Sequence, residues 1–339
     1  MSATETGTAS GNRRAGALAR MLGMRETGVA LALVALCVAL SILTDNFLNQ
    51  TNLLNVGRQV SLLGIMAVGM TFVLISGEVD LSVGSIYAFS GLASGMLIVS
   101  GWSLVPALAA GLACGAAIGV VNGLLSTYGR LPSLIATLGM LSIVRGAALI
   151  LTDGRPVTVN ERLGADPVTL ATFEFIGQGR LFDVVPMQLV FFVAVAAIAW
   201  AVLSGTTFGF RLFAVGGSAK AARISGIRVE AVKIWAFAVM GTLAALAGIL
   251  SMAFLPSGQA GRTGLGLELD VIAATIIGGA SLSGGEGTIL GTILGVLIIG
   301  VMRNGLVLMG VSPFWQELMI GLVIIVAVAI DKWSRRRAN

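Results

Sequence analysis

IWAFAVMGTLAALAGILSMAFL, residues Ile234–Leu255, contains no charged residue. A helix needs about 17–25 such residues to cross the hydrocarbon core of a bilayer. Lipid leaves no partner for open backbone groups, so a helix is the natural spanning element. Working outward from this stretch, comparable apolar runs occupy Thr27–Leu43, Leu53–Ile75, Ser82–Val99, Leu104–Val121, Leu134–Leu151 and Met187–Leu203 before it. Leu269–Leu282, Ile289–Met302 and Phe314–Ile330 follow it. The eighth and ninth runs are short and parted only by SGGEG. They read equally as one broken element, which would give nine or eleven crossings. Hydrophobic residues make up 56% of the chain and charged residues 11%, with a mean hydropathy of +0.97. A soluble domain carries about twice that charge. The expected fold class is all-α, a polytopic membrane protein of about ten transmembrane helices.

Direction follows from the basic residues, which gather in cytoplasmic loops. With the N-terminus inside, fourteen of the 21 Lys and Arg fall inside, six outside (Arg58, Arg155, Arg162, Arg180, Arg262 and Arg303) and Arg145 within a span. Both termini are therefore expected to be cytoplasmic. Residues 1–25 read as a disordered Ser/Thr/Gly/Ala-rich tail, 26–331 as the membrane domain, and 332–339 as a basic cytoplasmic tail. Nothing at the N-terminus reads as a cleaved signal peptide. Cys37 and Cys114 fall within spans and offer neither a disulfide framework nor metal spacing. The chain has no His, which excludes His-based zinc sites, proton relays and Ser-His triads. The net charge of +5 fits inner loops facing anionic lipid rather than nucleic acid.

Glycines punctuate the spans. Gly111, Gly115, Gly119 and Gly123 recur every fourth residue, as do Gly287, Gly291 and Gly295. Small residues at this spacing let membrane helices approach closely. GVVNGLLSTYGRLPSLIATLG (Gly119–Gly139) is also similar to GVLIIGVMRNGLVLMGVSPFWQELMIG (Gly295–Gly321) in Gly-Val, Asn-Gly, Pro and the final Gly. Asp80 opens the third span and Asp270 the eighth. Spans two to five thus match spans seven to ten. An offset of five reverses direction, so the repeat is inverted, as in transporters with a central pathway.

Several motifs admit a plain reading beside a functional one. Glu78 and Asp80 suit cation or proton binding, but Asp80, Ser82 and Ser85 also suit the start of a helix. Arg145 lies mid-span, either at a functional site or snorkelling to the outer interface. Within the long inner loop 205–233, Ser218 can cap a short helix over Ala219–Ser225 that Gly226 ends. Its small residues Ala221 and Ala222, beside Arg223, make a knob for a groove on a partner. The alternative is a basic loop resting on lipid. LSGGE (Leu282–Glu286) is similar to the signature of ABC ATPases, but the chain lacks a phosphate-cradling G-x-x-x-x-G-K-[ST], so a tight turn is expected. The outer segment Thr152–Pro186 is either a solvated connector or a protein-binding surface.

Taken in order, GMTFVLISGEVDLSVGS, NGLLSTYGRLPSLIATLGM, GSAKAARISGIRV, IGGASLSGGEGTILGTILG and NGLVLMGVSPFWQ resemble the permease family of bacterial ABC importers of the ribose, galactose and xylose type. The resemblance runs from about Asn52 to Ile330. Glu78-Val79 departs from the Gly-Ile pair usual before the Asp. The resemblance implies a permease that moves a monosaccharide across the inner membrane by alternating access. It implies a cytoplasmic ATPase subunit that uses the ATP, a periplasmic sugar-binding protein and a second permease copy. It places ATPase coupling at Ala219, Ala221, Ala222, Arg223, Ser225 and Gly226. It implies no catalytic residue, bound cofactor or metal on this chain. The substrate-binding residues stay unassigned. A branched-chain amino acid or another small polar solute is the alternative cargo, and an ion-coupled secondary transporter using Glu78, Asp80, Glu268 or Asp270 the alternative class.

Overall fold

The computed structural model describes residues 25–312 together with 314, 315, 318, 319, 321, 322 and 325. The tail over 1–24, most of the tenth apolar run and the basic tail 332–339 lie outside the described residues. The helices are α1 (Arg25–Leu43), α2 (Gln50–Ile75), α3 (Val83–Val99), α4 (Leu104–Thr127), α5 (Ser133–Thr152), α6 (Pro167–Gln178), α7 (Met187–Gly205), α8 (Thr207–Gly217), α9 (Ala219–Ile224), α10 (Val229–Phe254), α11 (Leu267–Ile277) and α12 (Ile289–Leu308). Among the described residues, seven helices are long and apolar enough to cross a membrane: α1, α2, α4, α5, α7, α10 and α12. Two small antiparallel pairings accompany them. β1 (Val157–Thr158) pairs with β4 (Ser257–Gly258), and β2 (Arg180–Leu181) with β3 (Val185–Pro186).

Local sequence sets the helix ends. Asn49, Asp166, Thr206 and Thr288 stand before α2, α6, α8 and α12, and each side-chain oxygen accepts from a first-turn N–H. Four N–H groups at a helix start have no partner within the helix, and short polar side chains supply one.

The packing follows a two-fold exchange. α10 packs on α4, α3 and α2, while α2 packs on α12, α11 and α10. Exchanging α2 with α10, α3 with α11 and α4 with α12 maps each contact onto another, with the α2–α10 crossing at the centre. This is the inverted repeat. The two central helices are the most enclosed: Ile65, Met70, Leu74, Phe237, Met240 and Leu250 are fully buried along them. Oxygen atoms join the halves there as well, with Thr71 Oγ1 lying 2.7 Å from Thr292 Oγ1.

The glycine stripes divide differently. A Cβ on Gly115, Gly119 or Gly123 would meet the α10 backbone, and one on Gly111 would meet Ser94 and Ser90 of α3. Gly291 and Gly295 face the backbone of α11 and its end, at Gly278 and Ala274. Gly287 is not part of that stripe. It precedes α12 in the turn, with φ of +154°.

The eighth apolar run is shorter as a helix than expected. Gly278 and Gly279 end α11 at Ile277, and Gly279 takes φ of +95°. Eleven residues rise about 16 Å, about half the hydrocarbon thickness, and the chain continues through a non-helical segment over 278–288. The segment 76–82, before α3, is also non-helical and buried at Asp80 and Ser82. The segment 152–186 is folded rather than a plain connector. α6 packs on α10 with Phe173 fully buried.

Candidate functional site

Three turns meet at one end of the bundle. The C-terminus of α2 reaches Ile75, whose carbonyl accepts from Gly285 N at 2.9 Å. Gly284 and Gly285, in the LSGGE segment, take φ of +84° and +76°, so these letters are a tight turn. Gly216, near the end of α8, lies against both: a Cβ there would land inside the Ile75 carbonyl and against Gly285 N. Only hydrogen fits, so backbone from both halves of the repeat abuts the residues that lead into α9.

α9 is a preformed, doubly capped turn and a half. Ser218 Oγ accepts from Ala221 N at 3.2 Å. Beyond the helix, Gly226 N donates to Arg223 O at 3.1 Å and Ile227 N to Ala222 O at 3.0 Å. That pair of bonds, with Gly226 at φ +81°, is the Schellman arrangement that glycine favours. The helix ends at Ile224, one residue earlier than the sequence implies. Arg223 also pairs with Glu230 at the start of α10.

This geometry corrects one assignment. Ala222 is 3% exposed and belongs to the chain's own core. It cannot be a knob for a partner. The cap requires this, because the Schellman turn brings Ile227 back over Ala222. Ala221, Arg223, Ser225 and Gly226 are exposed, and Ala219 is half-buried. Ile224, which the sequence reading passed over, is 81% exposed. It is the large apolar side chain that α9 presents.

Two carboxylates near this end, Glu78 and Asp80, are tied down. Glu78 pairs with Lys233 of α10, so the departure Glu78-Val79 carries an ion pair between the halves. Asp80 does not cap α3. Its Oδ1 accepts from Ser82 N at 2.8 Å and Ser82 Oγ at 2.6 Å, and its Oδ2 accepts from Asn122 Nδ2 at 3.2 Å. Burial pushes the Asp80 carboxyl up, while the bonds from Ser82 and Asn122 pull it back. Ser85 turns to α5 and donates to Leu141 O at 2.9 Å.

The other half has a matching arrangement. Asp270 accepts from Arg303 Nη2 at 2.8 Å beside a cavity of about 280 Å³ that Gln59 and Tyr87 also line. Asn304, the repeat counterpart of Asn122, exchanges amide hydrogen bonds with Asn52 at 3.0 and 2.7 Å. Arg145 is half-buried and held by backbone rather than free to snorkel. Its guanidinium donates to the carbonyls of Ala260 and Thr263 and pins the segment after α10.

Apolar spanning helices, inverted halves crossing at their centre and a rigid capped helix displayed at one end define a multi-pass membrane permease. The fold is that of ABC transporters. A solved chain of an inward-facing ABC transporter, described as metal-chelate type, superposes with a TM-score of 0.50 over 90% of this chain and 98% of its own, at 16% identity. Residues 52–328 match the family described as branched-chain amino acid transport system / permease component, and the chain belongs to that family. Similar relatives include the ribose import permease of Bacillus subtilis, 44% identical over 91% of this chain and 93% of its own length. The ribose import permease of Escherichia coli K12 is 41% identical over 91% and 94%. The L-arabinose ABC transporter permease of Azospirillum brasilense is 37% identical over 93% and 89%.

Proposed function

We propose that this chain is the permease of a monosaccharide importer of the bacterial inner membrane, driven by a separate ATPase that docks on α9. The observation that carries the coupling is the capped helix itself: Ile224 stands out from a helix whose approach, at Gly216, rests on backbone from both repeats. A push on α9 then reaches Ile75 and Gly285 together, and rocking of inverted halves is the expected response. In this reading the α9 end is cytoplasmic, in keeping with the fourteen-to-six charge bias. Ala221, Arg223, Ser225 and Gly226 surround the Ile224 contact, and the glycines of α4 and α12 hold helices in register as the halves move. The partners are the ATPase, a periplasmic sugar-binding protein and a second copy of this chain, and ATP is used by the ATPase.

The choice of monosaccharide rests on the ribose and arabinose relatives. Ion coupling is disfavoured because three of its four candidate carboxylates are already engaged: Glu78 by Lys233, Asp270 by Arg303, and Asp80 by Ser82 and Asn122. The test is ATP-dependent uptake of labelled ribose, arabinose and leucine in proteoliposomes holding the permease, its ATPase and its binding protein. Sugar uptake that stops without ATP is expected. Uptake of leucine alone would reassign the cargo, and uptake driven by a proton gradient without the ATPase would reassign the class.

A further inference from the structure

A cleft of about 500 Å³ opens between α8, the turn after α9 and the first turns of α10. Arg211 and Arg228 line it together with Phe208, Ser225, Gly226 and Trp235. Both arginines are exposed. Neither forms an ion pair among the described residues, and none of the lining residues is acidic. Glu230, the nearest carboxylate in sequence, is taken by Arg223. Two unneutralised guanidinium groups over one cleft are a poor arrangement for an empty protein surface. They are a good one for a phosphate, which a planar fork binds in two-pronged fashion.

Position decides the source of that phosphate. α10 has 26 residues, a rise of about 39 Å, against a hydrocarbon core of about 30 Å. Its charged residues, Glu230 and Lys233, lie within the first five positions, so the excess length falls at this end, in the headgroup layer. Trp235, 63% exposed, lines the cleft with the amphipathic indole surface found at membrane interfaces, and Phe210, 72% exposed, is the chain neighbour of Arg211. We infer that this cleft is a binding site for the headgroup of an anionic phospholipid, held by Arg211 and Arg228 with Trp235 against its glycerol and upper acyl region. Ser225 and Gly226, where α9 ends, form part of the same wall, so an occupant touches the C-terminal cap of the docking helix.

The inference rests on the membrane reading of this end of the bundle and not on the solute carried. It is tested on the purified full-length permease without ATPase or sugar. The measurement is retention of phosphatidylglycerol by native mass spectrometry, and thermal shift in phosphatidylcholine nanodiscs with and without phosphatidylglycerol. Removing one basic contact should weaken retention about fivefold, and R211Q/R228Q about thirtyfold. Arg130→Gln removes an exposed charge of the same end outside the cleft and should change retention less than twofold. R211K/R228K keeps the charge and loses the fork, so it should fall between wild type and the double Gln variant, and it serves if that variant does not fold.

Four outcomes would overturn the site. Equal losses for Arg130→Gln and the cleft variants would mean diffuse attraction only. Unchanged retention by R211Q/R228Q would remove the assignment outright. Inorganic phosphate protecting as well as phosphatidylglycerol would mean a soluble anion. Unaltered lipid retention by R211Q/R228Q, with loss of the ATPase in a parallel pull-down from the assembled complex, would make the cleft a protein contact.

Discussion

Ile224→Ala separates docking from folding. Ile224 is 81% exposed in the permease, so deleting its outer atoms removes almost no internal packing. Fully burying an isoleucine side chain is worth about 1.5–3 kcal/mol. If the ATPase groove covers the exposed four-fifths, docking gains about 1.2–2.4 kcal/mol from it, and most of that is lost in the alanine variant. The ATPase should then bind about eight- to sixtyfold more weakly, with the melting temperature of the permease unchanged. The assay is titration of the ATPase onto permease in nanodiscs, followed by ATP-driven uptake in vesicles. Affinity within twofold of wild type would refute Ile224 as the docking anchor. Ala222→Glu acts in another place. It puts a carboxylate into the chain's own core at a 3% exposed site, so it should lower the melting temperature of the isolated permease before any ATPase is added.

Gly216→Ala should abolish coupling or destabilise the α9 end of the bundle, because its Cβ collides with the Ile75 carbonyl and Gly285 N. Gly217→Ala, whose Cβ meets open space, should keep at least half of the wild-type uptake rate, roughly the ±0.5 kcal/mol expected of surface changes. Asp80 has a raised carboxyl in the fold, so its contribution to stability is present below its unfolded value near pH 4 and is lost as pH rises through the folded one. Melting curves of wild type should show that decline above about pH 4, and those of Asp80→Asn should show less of it. A cysteine at Thr172 should react with an impermeant reagent from the periplasm and one at Ser218 should not. Labelling of Ser218 from outside would reverse the orientation.

The spans were legible because hydropathy is a local property of long runs, and α2, α4, α5, α7, α10 and α12 each fall where an apolar run predicts. The break after α11 was legible in part, since Gly278, Gly279, Gly284 and Gly285 mark places where a helix stops but not how far the chain travels unwound. The facing direction of a six-residue helix was not legible from small residues alone. Its signal lay in the cap. A Schellman turn at Gly226 fixes Ala222 under Ile227, and Ile224, two residues or about 200° further round, must then face away. Glu78–Lys233 and Arg145 with Ala260 were illegible for another reason: their partners lie 155 and 115 residues away, and no local pattern carries that distance.

The double cap on α9 also bears on the kinetics of the transport cycle. Ordering a backbone residue costs about 1–2 kcal/mol, so ordering the six residues of α9 at each encounter would absorb about 6–12 kcal/mol of the contact. Here that entropy is lost when the permease folds, long before an ATPase arrives. If the ATPase docks on α9 as proposed, engagement needs no ordering of the helix, and no disorder-to-order step on the permease stands between nucleotide-driven movement and displacement of the turns at Ile75 and Gly285. The relay then acts as a lever rather than a spring, and its stroke should not lag behind the ATPase that drives it.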